Sequence, residues 1–279
     1  MKVLPFKIPK QEQQSLVYQE DRVDVFYDQL HQHEEIQISY IVKGYGSIIV
    51  GDTISSYEPN DVLVIGGNVP HVFKSDPDMS PDSVMLTLFF TRNSFGRDFF
   101  NSPELREMEA FFKESELGLI LPASKKLAIR FNKLHRMNRI KRVASLLNII
   151  DTIMNAKRSK LSTFVYGKKY TDDEGKRMSA VFQHAMENFH EQISLEEIAE
   201  KASMTRNAFC RYFKKRTNKT FFQFLIEIRI ENACKLLYKN KDMPIASVAE
   251  LCGFQNITNF NRKFKELKGV TPSQYRSQF

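Results

Sequence analysis

The sequence predicts an α+β protein, with a β-rich first part, a helical middle and an all-α last third built from one module used twice. Three observations carry this reading. The first is an internal repeat between Ser194 and Tyr275. Ile198-Ala199 followed by Phe209-x-Arg211-x-Phe213-Lys214 is answered by Val248-Ala249 followed by Phe260-x-Arg262-x-Phe264-Lys265. Thr220-x-x-Gln223-Phe224 is likewise answered by Thr271-x-x-Gln274-Tyr275. The offset is 50 residues at Ile198 and 51 from Phe209 onward, so one residue has entered the turn of the second copy. Two copies are too few for a solenoid. The second observation is a series of short β-branched and aromatic runs between residues 15 and 91. The third is charge. Residues 176–279 carry 18 Lys and Arg against 10 Asp and Glu, and the remaining 23 and 23 cancel, so the whole net charge of +8 sits in the repeat.

Each copy reads as a helix-turn-helix. In the first, Ser194 caps a helix with Glu197 completing a capping box, and Leu195, Ile198 and Ala199 share one buried face. The helix stops near Ala202-Ser203. Thr205 caps the next helix, in which Phe209 and Phe213 lie four apart and face inward. In the second copy Pro244 suits a first helical position. Val248, Ala249 and Leu251-Cys252 form the apolar face, Gly253 supplies the turn and Asn256 caps the following helix, with Phe260 and Phe264 inward. This leaves Arg206, Asn207, Cys210, Arg211 and Lys214 outward in one helix, and Ile257, Thr258, Asn261 and Arg262 in the other. A face of Arg, Asn and Thr suits base edges and phosphates. A basic domain joined to a neutral one fits a nucleic-acid reader with a separate sensor. Ile226, Ile230, Ala233 and Leu237 mark a long helix connecting the two copies.

Over about the last 85 residues the chain resembles the AraC/XylS family of bacterial transcription regulators. The residues that carry this are Ile245-Ala-Ser-Val-Ala-Glu-Leu-Cys-Gly-Phe254, the run Asn259-Phe260-Asn-Arg-Lys-Phe264-Lys265 and the ending Gly269-Val-Thr-Pro-Ser-Gln-Tyr-Arg276. The resemblance implies an AraC-type DNA-binding domain over 177–279, with two recognition helices in adjacent major grooves. It implies DNA-facing roles for Arg206, Asn207, Cys210, Arg211, Ile257, Thr258, Asn261 and Arg262. Cys210 is an unusual reader, because a thiol is a weak hydrogen-bond former; contact with a thymine methyl is the alternative.

The β region is read from Leu16–Tyr18, Val23–Tyr27, Ile36–Val42, Ser47–Val50, Val62–Ile65 and Val84–Phe90. Many short strands without intervening helices suggest a sandwich or barrel. The order His31-x-His33, Gly44-x-Gly46, Tyr57-x-Pro59-x-Asp61 and Pro70-His71 resembles a cupin β-barrel, the amino-terminal sensor in one branch of the same regulators. This places a cupin-like sensor domain at 1–100. Metal-binding cupins add a Glu after the His pair, and here that place falls near Gln37, a weak ligand for transition metals. No metal and no cofactor is therefore expected. His31, His33, Gln37 and His71 are instead expected to line a small-molecule cavity or to tie the barrel mouth together.

Residues 101–156 read as helical, starting at Ser102-Pro103-Glu104. Leu105, Met108 and Phe111-Phe112, then Leu127, Phe131 and Leu134, then Val143, Leu146-Leu147 and Ile150 form apolar stripes that serve as core or as a dimerisation face. Residues 157–176 turn polar and are read as the linker. At 279 residues two domains are expected. Cys210, Cys234 and Cys252 form no Cys-x-x-Cys pair, so neither a disulfide framework nor a zinc site is indicated. There is no signal peptide and no apolar run of membrane-spanning length, which places the protein in the cytoplasm. The expected function is that of a sequence-specific DNA-binding transcription regulator, not an enzyme, whose amino-terminal barrel senses a small molecule or dimerises. Its expected partners are double-stranded DNA, a small-molecule effector, a second copy and, where it acts as an activator, RNA polymerase. The alternatives are a cupin enzyme carrying a DNA-binding tail and a ligand-independent DNA binder.

Overall fold

The computed structural model describes Ile8, residues 14–165 and residues 172–278. The chain divides into two compact units, Met1–Tyr170 and Thr171–Phe279. The first is β-rich with helices and the second all-α, which gives the α+β class expected.

In the first unit the strands are β1 (Val17–Val23), β2 (Ile36–Lys43), β3 (Gly46–Val50), β4 (Thr53–Tyr57), β5 (Asp61–Ile65), β6 (His71–Ser75) and β7 (Ser83–Phe90). They are followed by α1 (Met108–Ser115), β8 (Leu119–Pro122), α2 (Lys125–Lys133), α3 (Arg139–Met154) and β9 (Ser159–Lys160). The strands pair as two antiparallel sheets, ordered β1-β7-β2-β5-β8-β9 and β4-β3-β6. Among the described residues the pairing draws two sheets rather than one closed ladder. A one-residue bridge, His31 with His71, ties the segment before β2 to the first residue of β6.

Alternation along the strands places the two faces of the larger sheet. Ile38, Tyr40, Val62, Val64, Leu86 and Leu88 share a core with Phe111, Leu127, Phe131, Ile149 and Ile153 of α1, α2 and α3. Ile41, Leu63, Ile65 and Met85, from the opposite face, pack with Ile48, Val50, Tyr57 and Phe73 of the smaller sheet. Three polar residues interrupt that inter-sheet core. Gln37 donates to Ser39 Oγ at 2.9 Å, and the Ser39 and Thr87 hydroxyls are 2.9 Å apart across β2 and β7. The hydroxyls and amide satisfy one another, which removes most of the cost of burying them.

Several sequence expectations change. Val23–Tyr27 is not a strand of its own; β1 runs through the polar Gln19–Arg22 and ends at Val23, because pairing with β7 fixes it rather than its own hydrophobicity. β4, β6 and β8 went unread, and β8 falls inside the stretch expected to be wholly helical. Pro103 opens a 3-10 turn, Pro103–Leu105, and the first α-helix begins at Met108. Of the segment 157–176, Ser159–Lys160 pairs with β8, and Ser162 and Thr163 hydrogen-bond Asp52. Residues 166–171 of it lie outside the described residues.

The second unit contains α4 (Asp172–Glu187), α5 (Leu195–Lys201), α6 (Arg206–Thr217), α7 (Phe221–Lys239), α8 (Ile245–Leu251), α9 (Ile257–Lys268) and α10 (Pro272–Arg276). α4 was not foreseen. Its buried Met178, Val181, Phe182 and Ala185 cover the first copy, with Phe182 4.9 Å from Phe224 between ring centres. α7 is the expected connecting helix, with Ile230, Ala233 and Leu237 fully buried in the core of the second copy. Leu251, expected on the apolar face of α8, is instead 52% exposed. It follows Ala249 by two positions, a rotation of about 200° that carries it to the far side of the helix.

Candidate functional site

The repeat is reproduced down to its backbone. In the first turn Met204 N–H donates to Ala199 O and Ser203 N–H to Glu200 O. Fifty residues on, Phe254 N–H donates to Ala249 O and Gly253 N–H to Glu250 O. Ser203 and Gly253 are both left-handed, at φ 53° and 78°. A Cβ on Gly253 would lie 2.7 Å from Phe189 O and 2.9 Å from His190 O, so the second copy requires glycine where the first tolerates serine. The helix ends match as well. α6 ends at left-handed Asn218 and α9 at left-handed Gly269, while Thr220–Gln223 and Thr271–Gln274 close equivalent capping boxes. Ser194–Glu197 forms the expected capping box of α5, and Asn256 caps α9 by accepting from the N–H groups of Thr258 and Asn259. Two caps differ from expectation. Thr205 stands at the N-cap with no side-chain capping bond, and Pro244 is the N-cap of α8 rather than its first helical residue.

α6 and α9 each sort their residues cleanly. Phe209, Phe213, Phe260 and Phe264 are fully buried. Arg206, Asn207, Cys210, Arg211, Ile257, Thr258, Asn261 and Arg262 are exposed. Some of these cations are held from within the protein. Arg206 pairs with Glu196 of α5. Arg262 donates to Asn259 Oδ1 at 2.8 Å, with Glu266 3.6 Å away. Exposed pairs of this kind contribute little to stability, so a phosphate or a base edge can replace the partner at small cost.

Other arginines hold the scaffold. Arg216 pairs with Glu174, whose carbonyl also accepts from Tyr212 OH, so α4 is fastened to α6. Arg276, the last residue of the signature ending, donates to Lys241 O at 2.9 Å and Met243 O at 2.6 Å. It closes the loop ahead of α8.

In the first unit His31, His33 and His71 come together. Each is buried, and their candidate donor atoms lie within 4.8 Å of one another. The rings of His31 and His71 are 4.1 Å apart between centres. Burial lowers the His31 pKa to about 4. Burial, with His31 and His33 nearby, carries His71 well below the usual histidine value. Gln37 reaches His33 Nε2 through Oε1 at 3.2 Å. A cavity of about 280 Å³ lies beside them, and His31 and Gln37 line it. Its further wall of Gln19, Asp21, Tyr27 and Phe89 was missed from the sequence. The alternation of Gln19, Asp21 and Val23 along β1 was the available signal. Burial raises the Asp21 carboxyl, which accepts from Gln19 Nε2 at 2.7 Å.

Comparison with known proteins bears directly on the second unit. Residues 198–278 match a family model described as a helix-turn-helix domain. An uncharacterized HTH-type transcriptional regulator of Bacillus subtilis, YdeC, is 24% identical over 264 residues, covering 90% of this chain and 86% of that protein. An uncharacterized HTH-type regulator from the cgkA 5′ region of Pseudoalteromonas carrageenovora is 31% identical over 116 residues, covering 40% of this chain and 68% of that one. Among solved structures, the DNA-binding domain of AdpA in complex with a target DNA is 32% identical, covers 37% of this chain and 92% of that one, and has a TM-score of 0.35. The chain is a DNA-binding transcription regulator of the helix-turn-helix class. It belongs to the AraC family.

Proposed function

We propose that α6 and α9 are the two base-reading helices and enter successive major grooves on one face of DNA. Arg206, Asn207, Cys210 and Arg211 would face the first groove, and Ile257, Thr258, Asn261 and Arg262 the second. The observation that carries this is the segregation on both helices, with four phenylalanines fully buried and these eight side chains exposed. Arg and Asn suit bidentate contacts to guanine and adenine, and the lysines and arginines around them supply phosphate contacts. The test is selection of DNA sites from a random pool by the full chain, followed by footprinting. The reading requires two protected half-sites about 10 base pairs apart. A footprint confined to one groove would count against it.

The same reading makes the first unit, residues 1–165, the sensor. A small-molecule effector would occupy the cavity beside His31, His33, Gln37 and His71 and alter DNA affinity by about 1–3 kcal/mol of coupling. An in-cell response that survives both His33→Ala and His71→Ala would place the pocket elsewhere. Exposed Ile129 on α2 and Ile140 on α3 make the helical segment the candidate face for a second copy, which sedimentation of Ile140→Asp would test. RNA polymerase is the further partner where the protein activates. The compartment that goes with these partners is the cytoplasm. Among the described residues, no helix is long and apolar enough to cross a membrane.

A further inference from the structure

Each of the three clustered imidazoles gives its Nδ1 to a backbone carbonyl. His31 Nδ1 lies 2.7 Å from Gln29 O, His33 Nδ1 2.9 Å from Glu35 O, and His71 Nδ1 2.9 Å from Val69 O. A carbonyl oxygen can only accept, so Nδ1 carries a proton in all three rings, and in the neutral ring Nε2 then presents a lone pair. One ring nitrogen of each residue lies within 4.8 Å of the other two, and all three residues are buried. His71 Nε2 has no hydrogen-bond partner there. Gln37 Nε2 donates to Ser39 Oγ, which turns Oε1 toward His33 Nε2 at 3.2 Å, and the Glu35 carboxylate lies 3.7 Å from His33 Nδ1. A histidine that merely fills a core would be expected to find a partner for its second nitrogen.

We propose that His31, His33 and His71 bind a divalent transition-metal ion through their three Nε2 atoms. The backbone carbonyls on Nδ1 are the outer shell that orients metal-binding imidazoles. Closing on an ion at about 2.0–2.1 Å per bond brings the donors to roughly 3.4 Å from one another, against a present spacing of up to 4.8 Å. Imidazole nitrogens with a neutral amide oxygen nearby suit zinc, cobalt, nickel, copper or ferrous iron and do not suit calcium or magnesium. His31 and Gln37 also line the cavity, so the ion keeps an open position toward it. The inference builds on the reading of the first unit as the sensor. Its readout is metal binding itself, which stands or falls independently of DNA binding.

The test uses the full chain, stripped with a chelator and titrated with Co²⁺ and Zn²⁺. The expected result is one equivalent bound at micromolar affinity or tighter, visible Co²⁺ absorption bands, a raised melting temperature, and no binding of Mg²⁺ or Ca²⁺. His31→Ala and His71→Gln should each weaken binding at least tenfold. Circular dichroism of the stripped variants establishes that they fold, and His31 supplies a second variant should His71→Gln melt. His135→Ala and His190→Ala, among the three histidines outside the cluster, should bind as the unaltered chain does. Absence of stoichiometric Co²⁺ binding overturns the proposal. So does unchanged affinity in folded His31→Ala and His71→Gln.

Discussion

Arg229 of α7 donates from Nε to the carbonyl of Phe189 at 2.8 Å while its guanidinium lies 5.8 Å from the ring centre of Phe254. Nη2 reaches Glu191 O at 2.7 Å. One side chain therefore joins the loop between α4 and α5, in the first copy, to the turn of the second. Replacing it strands two carbonyls and uncovers an aromatic face. Arg229→Ala should lower the stability of the second unit by about 1–3 kcal/mol. The check is the melting temperature, together with hydrogen exchange at the Gly253 turn. Unchanged protection there would count against the joining role.

Gly253→Ala should be costly and Ser203→Gly nearly neutral, although the two positions are equivalent in the repeat. Alanine at Gly253 meets two carbonyl oxygens at a left-handed residue, which should cost about 2 kcal/mol or more. Glycine at Ser203 relieves a left-handed serine and should change stability by less than about 1 kcal/mol. Denaturant midpoints of the two variants decide it.

The two faces of α9 should separate under mutation. Phe260→Ala and Phe264→Ala should destabilise by about 3–5 kcal/mol, because both rings are fully buried. Asn261→Ala and Arg262→Ala should melt normally and lose about 1–3 kcal/mol of specific DNA affinity per base contact. An early-melting Arg262→Ala would mean that the reading face is rotated from the one proposed.

Affinity for DNA should fall steeply with salt, because the net charge of +8 is confined to residues 176–279. A protein making about six phosphate contacts has a log–log slope near −5. A flat dependence between low and physiological salt would remove the phosphate-led account of binding.

Asp61 gives a pH prediction in the first unit. Burial raises its pKa from 3.8 to about 6, with its hydrogen bond from Glu58 N–H opposing the shift and the charge of Glu58 adding to it. A carboxyl raised on folding favours the protonated folded state. Its contribution to stability is fully present below about 3.8 and is lost as pH rises to about 6. Asp61→Asn should therefore stabilise the chain at pH 7, by about 1 kcal/mol after solvent screening, and flatten the stability profile between those values. Urea midpoints at pH 4 and pH 7 test it.

The helix-turn-helix pair was legible because its signals are local and appear twice. Phe209 and Phe213 predict Phe260 and Phe264 and are matched by them, and caps such as Ser194 and Asn256 use neighbours within three residues. α4 was hidden because Met178, Val181, Phe182 and Ala185 stand among polar residues that follow a linker-like stretch. Their apolar stripe acquires meaning only against Phe213 and Phe224. β4 is Thr-Ile-Ser-Ser-Tyr, weak in strand preference, and is made a strand by pairing with β3. β8 is four residues between helices, too short for its period to be read. His31, His33 and His71 could be grouped from the order of their motifs, but the geometry of the group depends on His71 opening β6, a strand that the sequence did not reveal.

α7 fixes a rotational phase. Its 19 residues span about 28 Å, and each sets the helix forward by about 1.5 Å and around by about 100°. Inserting a single residue in its middle would turn α9 by that angle relative to α6, with every reading side chain intact and both cores still able to form. With α6 and α9 as the readers proposed above, their relative orientation is counted in whole residues of α7, and a change in its length would put one out of step with the other.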